Sequence, residues 1–186
     1  MRSQMVLPAM TGFLGYLGIW LAQAQGFCPG RRQVVLLWGI VAVCLISGSA
    51  QARVTAQLYY TDQCRYEQDA ALGRSVIERI DQVMPKEETL PVMVVGGREF
   101  SGNNSCVTGE VIGRSFFNYD REVEPVPFWS TRRVLGFLHT LGADYGIAPR
   151  ERAEEALECS EDMPVWPAAD SVQVKNGMLI IKLSSE

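Results

Sequence analysis

The order of apolar and polar positions divides the chain into a first part with long uncharged apolar runs and a second part with clear short periods. Met5 to Ala22 and Val34 to Ala50 carry no charge and are separated by QAQGFCPGRRQ. Each reaches the minimum of about 17 residues that crosses a hydrocarbon core, so each is a candidate spanning helix. Pro8 and several glycines interrupt the first, which a membrane helix tolerates because its neighbours satisfy the freed backbone groups. Gly12, Gly15 and Gly18 recur every three residues. They form either a smooth stripe for the close approach of another membrane helix or a run with no specific partner.

From Val54 onward the pattern changes. Tyr59, Tyr66, Ala70, Gly73, Ile77, Ile80 and Met84 recur at helical spacing, Leu72, Val76 and Val83 widen the stripe, and Gln68, Ser75, Glu78, Arg79 and Gln82 lie opposite. This predicts an amphipathic helix that continues from the second apolar run and ends at Pro85. LPVMVVGG predicts a buried strand. Gly96 and Gly97 read as a plain turn rather than a phosphate loop, because no helix signal follows them.

Further on, the prolines of VEPVPFW interrupt regular structure. STRRVLGFLHTLG then places Val134, Leu135, Leu138 and Leu141 on one helical face, with Ser130 or Thr131 as cap and Gly142 as stop. APRERAEEALE, opening on Pro149, predicts a second, mostly exposed helix. SVQVKNGMLIIKL predicts a hairpin, with Asn176-Gly177 supplying the two positive-φ residues of its turn. The expected fold is a membrane-anchored α/β protein: one or two transmembrane helices, about 5–22 and 34–50, then a small α/β domain. Its sheet has at least three strands, including the C-terminal hairpin.

Charge supports the same division. Residues 1–53 hold four arginines and no acid, so the other 13 basic and all 21 acidic residues fall in 54–186 and leave that part with a net charge of −8. The split reads as a transmembrane segment, 1–53, followed by an acidic extracytoplasmic domain, 54–186, and it excludes nucleic acid as that domain's partner. Arg31 and Arg32 stay cytoplasmic under the positive-inside rule, which turns the domain outward. The alternative reads Arg31-Arg32, Val34 to Ile46 and SAQA as a signal peptide. Either way the domain is exported.

The chemical inventory is small. His139 is the only histidine, which excludes a histidine-rich metal site, and it flanks an apolar face as a structural histidine does. Cys64, Cys106 and Cys159 show no C-x-x-C spacing, so neither zinc nor thioredoxin-type chemistry is expected, and no metal or cofactor is assigned. In an oxidising compartment one disulfide is expected, between Cys106 and Cys159, because both lie in or beside flexible segments. There is no G-x-S-x-G motif.

After a span, the succession LYYTDQCRYEQDAALGRSVIERI, PVMVVGG, GEVIGRSFFNYD, RRVLGFLHTLG and MPVWPAADSVQVKNGMLIIKLS resembles the C-terminal region of the bacterial Gtr type II family of polytopic O-antigen glucosyltransferases. The likeness runs from about Val34 to Ser184. It implies a GT-C type enzyme of the bacterial inner membrane, set among membrane lipids, that passes a sugar from a polyprenyl phosphate carrier to a cell-surface glycan on the periplasmic side. In that family the catalytic acid lies in the first extracytoplasmic loop. No Asp or Glu precedes Asp62 here, so no catalytic residue is carried over. The expectation is a C-terminal module inactive without further N-terminal spans. The alternative is a non-catalytic membrane-anchored domain that binds a glycan or a protein.

GEVIGRSFFNYD has two readings. Phe117, Tyr119 and Asp120 can form a sugar platform, with Arg114 available to a phosphate, because glycans stack apolar faces on aromatic rings and bond their hydroxyls to carboxylates. Alternatively, Phe116 and Phe117 anchor the loop in the core while Asp120 caps a turn.

Overall fold

The structure, a computed structural model, describes residues 2–24, 31–84, 89–98, 115–118 and 126–185. These fall in two compact units, one within Met1–Asp62 and the other within Gln63–Asn103 and Gly113–Glu186. The composition changes at Arg53, whereas the change of unit falls at Asp62/Gln63, inside a helix.

The first unit contains α1 (Arg2–Ala24) and the beginning of α2 (Arg31–Val83). Over Trp38–Val83, α2 is the one helix among the described residues long and apolar enough to cross a membrane; the apolar run described in α1, Gly12–Leu21, is shorter. Of the three recurring glycines only Gly15 meets the other helix. A Cβ there would lie 3.3 Å from Cys44 Sγ and 3.7 Å from Ile40 Cγ2, while Gly12 and Gly18 have nothing within 4 Å. The expected stripe reduces to one point of close approach.

The second unit is a three-layer α/β fold. Its elements are the rest of α2, β1 (Val92–Val95), α3 (Phe128–Thr140), α4 (Ala153–Ser160), β2 (Val172–Lys175) and β3 (Met178–Lys182). The strand order is β1-β3-β2, with β3 parallel to β1 and antiparallel to β2. The hairpin is as the sequence predicts: Asn176 and Gly177 have φ of 52° and 69°, and Lys175 pairs with Met178 across the turn.

Alternation along β1 and β3 sorts their side chains between two cores. Val92, Val94, Leu179 and Ile181 pack with Val76 and Ile80 of α2 and with Val134 and Leu138 of α3. Met93, Val95, Met178 and Ile180 pack with Ala153 and Ala156 of α4. Both faces are covered, which is why VMVV and MLIIK are continuous apolar runs. In α2, Ala70, Gly73, Val76 and Ile80 carry the buried stripe. Gly73 has its role in closeness, since a Cβ there would lie 2.6 Å from Leu141 Cδ1 and 3.2 Å from Leu138 Cδ2.

Two helices depart from expectation. α3 starts at Phe128, with Pro127 at its N-cap, so neither Ser130 nor Thr131 caps it. Thr131 is fully buried one turn inside and turned to the sheet, where its hydroxyl accepts from Val94 N–H at 3.0 Å and donates to the Pro127 carbonyl. β1 has a neighbouring strand on one side only, and this hydroxyl, with the 2.8 Å bond from Val92 N–H to Gly146 O and the 3.0 Å bond from Ala148 N–H to Val92 O, satisfies the other edge. α4 is less exposed than predicted: Ala153 and Ala156 are fully buried, because small side chains let this short helix sit directly on the sheet.

Candidate functional site

Parallel pairing brings the carboxyl ends of β1 and β3 together, the position where open α/β sheets place their ligand sites. β1 leaves the sheet through Gly96, whose φ is +77° and where a Cβ would lie 2.6 Å from Ser184 Oγ and 2.8 Å from Ser184 N. Gly96 thus serves a close backbone approach beyond a simple turn. Gly97 N–H donates to Ser184 Oγ at 3.1 Å, and Arg98 N–H donates to Phe117 O at 2.8 Å. On the β3 side, Trp166 N–H donates to Lys182 O at 2.9 Å.

A cleft of about 320 Å³ opens there. One wall is α2, at Gln68, Asp69, Leu72 and Ser75; Arg98, Ser115 and Trp166 complete it. Trp166 is half-buried, packed against the α2/α3 core, and lines the cleft.

Asp69 organises this site. It is 5 % exposed, and its carboxylate accepts from Ser115 Oγ at 2.7 Å and from Phe116 N–H at 3.0 Å. Ser115 Oγ in turn accepts from Phe117 N–H at 3.1 Å. From the other side Arg133 donates to the carbonyls of Phe116, at 3.3 Å, and Asn118. Residues 115–118 are therefore pinned from α2, from α3 and from the segment after β1.

Phe117 takes the core reading of the two that GEVIGRSFFNYD offers. It is 1 % exposed, and its ring meets Phe137 edge-on at 6.0 Å, while Phe116 stacks on Phe137 at 4.3 Å. A ring enclosed in this way offers no face to a sugar, so Phe117 is core, and the aromatic surface at the cleft comes from Trp166. Arg114, Tyr119 and Asp120, the other expected platform residues, lie outside the described residues, as does Cys106. Cys159 is a half-buried thiol at the end of α4, 3.5 Å from Asn176 Nδ2, so the expected pairing with Cys106 is a matter for peptide mapping. His139 is on the surface, 3.6 Å from Asp144.

The groups with displaced pKa values stabilise the fold away from the cleft. Tyr145 is raised, first by burial and then by the Asp81 carboxylate to which it donates at 3.1 Å. Glu155 is lowered by hydrogen bonds from Arg152 and then from Asn176, a cluster that ties α4 to the hairpin, and the bond to Glu155 raises Arg152. Among the described residues no group of three or more His, Cys, Asp or Glu is placed to hold a metal ion. At the cleft, Ser115 and Asp69 are engaged with each other and with the loop backbone. What the cleft offers a ligand is recognition, through an indole, an amide and a guanidinium.

Sequence reasoning did not single out Asp69 or Trp166. The signal for Asp69 was a charge on the helical stripe, next to Ala70 and four residues before Gly73; for Trp166 it was an aromatic side chain between Pro164 and Pro167 in MPVWPAAD. Comparison with family models, with curated proteins and with solved structures finds no match to this chain.

Proposed function

We propose that this chain is a membrane-anchored glycan-binding module. α2 holds it in the bacterial inner membrane, and its α/β unit works on the periplasmic side. The observation that carries the reading is the cleft at the carboxyl ends of β1 and β3, where the Trp166 ring stands among the polar side chains of Gln68, Ser75 and Arg98. A sugar presents an apolar face to an indole and its hydroxyls to amides and charged groups. The apolar length of α2 and the charge asymmetry support the membrane setting. The resemblance to the Gtr type II family supplies the process: the module holds a cell-surface glycan for glucosyl transfer from a polyprenyl phosphate carrier, with the catalytic carboxylate contributed by further membrane-embedded parts.

The test uses the chain in lipid nanodiscs, titrated with O-antigen oligosaccharides by calorimetry. Saturable binding that Trp166→Ala weakens by about tenfold or more is the expected result. Binding that ignores Trp166, or no binding to any glycan, overturns the reading. In membranes supplied with polyprenyl phosphate glucose and acceptor polysaccharide, the chain alone gives no transfer above an empty-vector control; transfer abolished by Asp120→Asn would make GEVIGRSFFNYD part of a functional site rather than scaffold.

A further inference from the structure

The donors and acceptors around the cleft do not balance. Among the described residues Asp69 is the one acid on its wall, and its carboxylate is engaged by Ser115 and the Phe116 amide. Ser115 donates to Asp69 and accepts from Phe117 N–H, and Ser75 donates to Ala71 O at 3.1 Å. The remaining polar groups are chiefly donors. Arg98 brings a guanidinium with five N–H donors and no acceptor, and among the described residues its side chain has no hydrogen-bond or ion-pair partner. The Gln68 amide and the Trp166 indole N–H are likewise unpartnered among the described residues.

Position adds to chemistry. The Arg98 backbone is fixed through its own N–H to Phe117 O, and the adjacent Gly97 through Ser184, so the guanidinium extends from a rigid base. Asp69 lies on the α2 wall. An anionic group is attracted to the Arg98 side and repelled from the Asp69 side, which gives a bound ligand one preferred orientation. The volume, about 320 Å³, is at the lower end of the roughly 300–1,000 Å³ of small-molecule pockets, enough for one sugar ring of a glycan and its substituent.

We infer that the cleft selects a sugar bearing an anionic substituent, a carboxylate or a phosphate, with Arg98 reading the charge and Trp166 supporting the apolar face of the ring. This rests on the glycan-binding reading and narrows its ligand. A guanidinium bonds a carboxylate or a phosphate in bidentate fashion, and such charge-assisted pairs are about twice as strong as neutral ones.

The test measures affinity for glucose, glucuronate, glucose 1-phosphate, acetate and inorganic phosphate on the chain in nanodiscs of zwitterionic lipid. Glucuronate or glucose 1-phosphate is expected to bind about tenfold tighter than glucose, and whichever of the two is tighter identifies the anion. Arg98→Gln brings both sugar anions to the level of glucose, and Arg98→Lys restores part of the difference because it returns charge without the fork. Trp166→Phe, which keeps a ring in the wall, weakens all three sugars less than Trp166→Ala. Equal affinity for the three sugars, or a preference that survives Arg98→Gln, overturns the inference and leaves the glycan reading standing. Acetate or inorganic phosphate binding as tightly as the sugar anions also overturns it, since the ring then contributes nothing. Failure of every sugar, oligosaccharides included, removes both.

Discussion

Removing the Asp69 carboxylate measures how the loop at the cleft is held. It accepts two hydrogen bonds, from Ser115 Oγ at 2.7 Å and from Phe116 N–H at 3.0 Å, in a residue 5 % exposed. Hydrogen bonds to a charged group contribute about 1.5–3 kcal/mol each, which sets an upper bound of roughly 6 kcal/mol for the pair. Two effects reduce this. The Phe116 amide is only partly buried and regains water, and burying the carboxylate has already cost part of what its bonds return. Asp69→Ala should therefore weaken the loop by about 2–4 kcal/mol, and Asp69→Asn, which keeps one acceptor, by about 1–2 kcal/mol. Phe117 competes as an anchor, since losing a buried phenylalanine costs about 3–5 kcal/mol. Hydrogen exchange separates the two anchors: at the amides of Phe116, Phe117 and Arg98, protection should fall by roughly 30- to 1,000-fold in Asp69→Ala while β3 amides keep theirs. Exchange at these three amides within about threefold of the parent would falsify the carboxylate clamp and leave aromatic packing as the anchor.

Other consequences are equally direct. Gly96→Ala should destabilise the second unit by about 2–4 kcal/mol in chemical denaturation, because the new Cβ meets backbone atoms of Ser184 at a positive φ; a change under 0.5 kcal/mol would mean that the two chain segments separate freely. Lys182, 8 % exposed, donates to Ser160 O at 2.7 Å and Glu161 O at 3.1 Å at the end of α4. Lys182→Ala should cost about 2–3 kcal/mol and Lys182→Met less, since methionine keeps the buried stem but not the charge; no loss in Lys182→Met would refute the role of the charge at the helix end. Tyr145 has a raised pKa, first from burial and then from Asp81, so the fold favours its neutral form. That stability is present below the unfolded pKa of about 10 and is lost as the pH rises above it toward the folded value. Tyr145→Phe should flatten the alkaline fall in stability, and phenolate absorbance should show one tyrosine titrating above the rest.

The legible parts of this fold are those whose cause is local. Asn176-Gly177 dictates its turn from two residues, the VMVV and MLIIK runs require a sheet covered on both faces, and the spacing of Ala70, Gly73, Val76 and Ile80 requires a helix with one packed side. The candidate site is not local. Asp69 and Ser115 are 46 residues apart, and Thr131 is 37 from the Val94 amide it satisfies. Threonine near a helix start reads as a cap because capping is the commonest local use of that hydroxyl; only the unpaired edge of β1 assigns it otherwise. Phe117 was ambiguous for a related reason, since an aromatic pair in a polar loop has the same sequence whether it faces solvent or the core. Phe137 settles that choice, and it belongs to a helix that follows in the chain.

Ligand recognition and loop anchoring then become one problem at this sheet end. Arg98 reads charge from a backbone that is bonded to Phe117 O, and Phe117 is held through Ser115 to Asp69. Loosening the clamp should therefore blur the position of the guanidinium although Arg98 itself is unchanged. Asp69→Asn removes a negative charge from the cleft, which by Coulomb's law alone would tighten an anionic ligand. If the clamp positions Arg98, the same substitution should instead weaken that ligand. The sign of the change separates the two effects, because screening by salt weakens the Coulombic gain and leaves the positional loss in place. Weaker binding of glucuronate by Asp69→Asn at both low and high salt is the expected outcome, and tighter binding at low salt would show that Arg98 keeps its place without the loop.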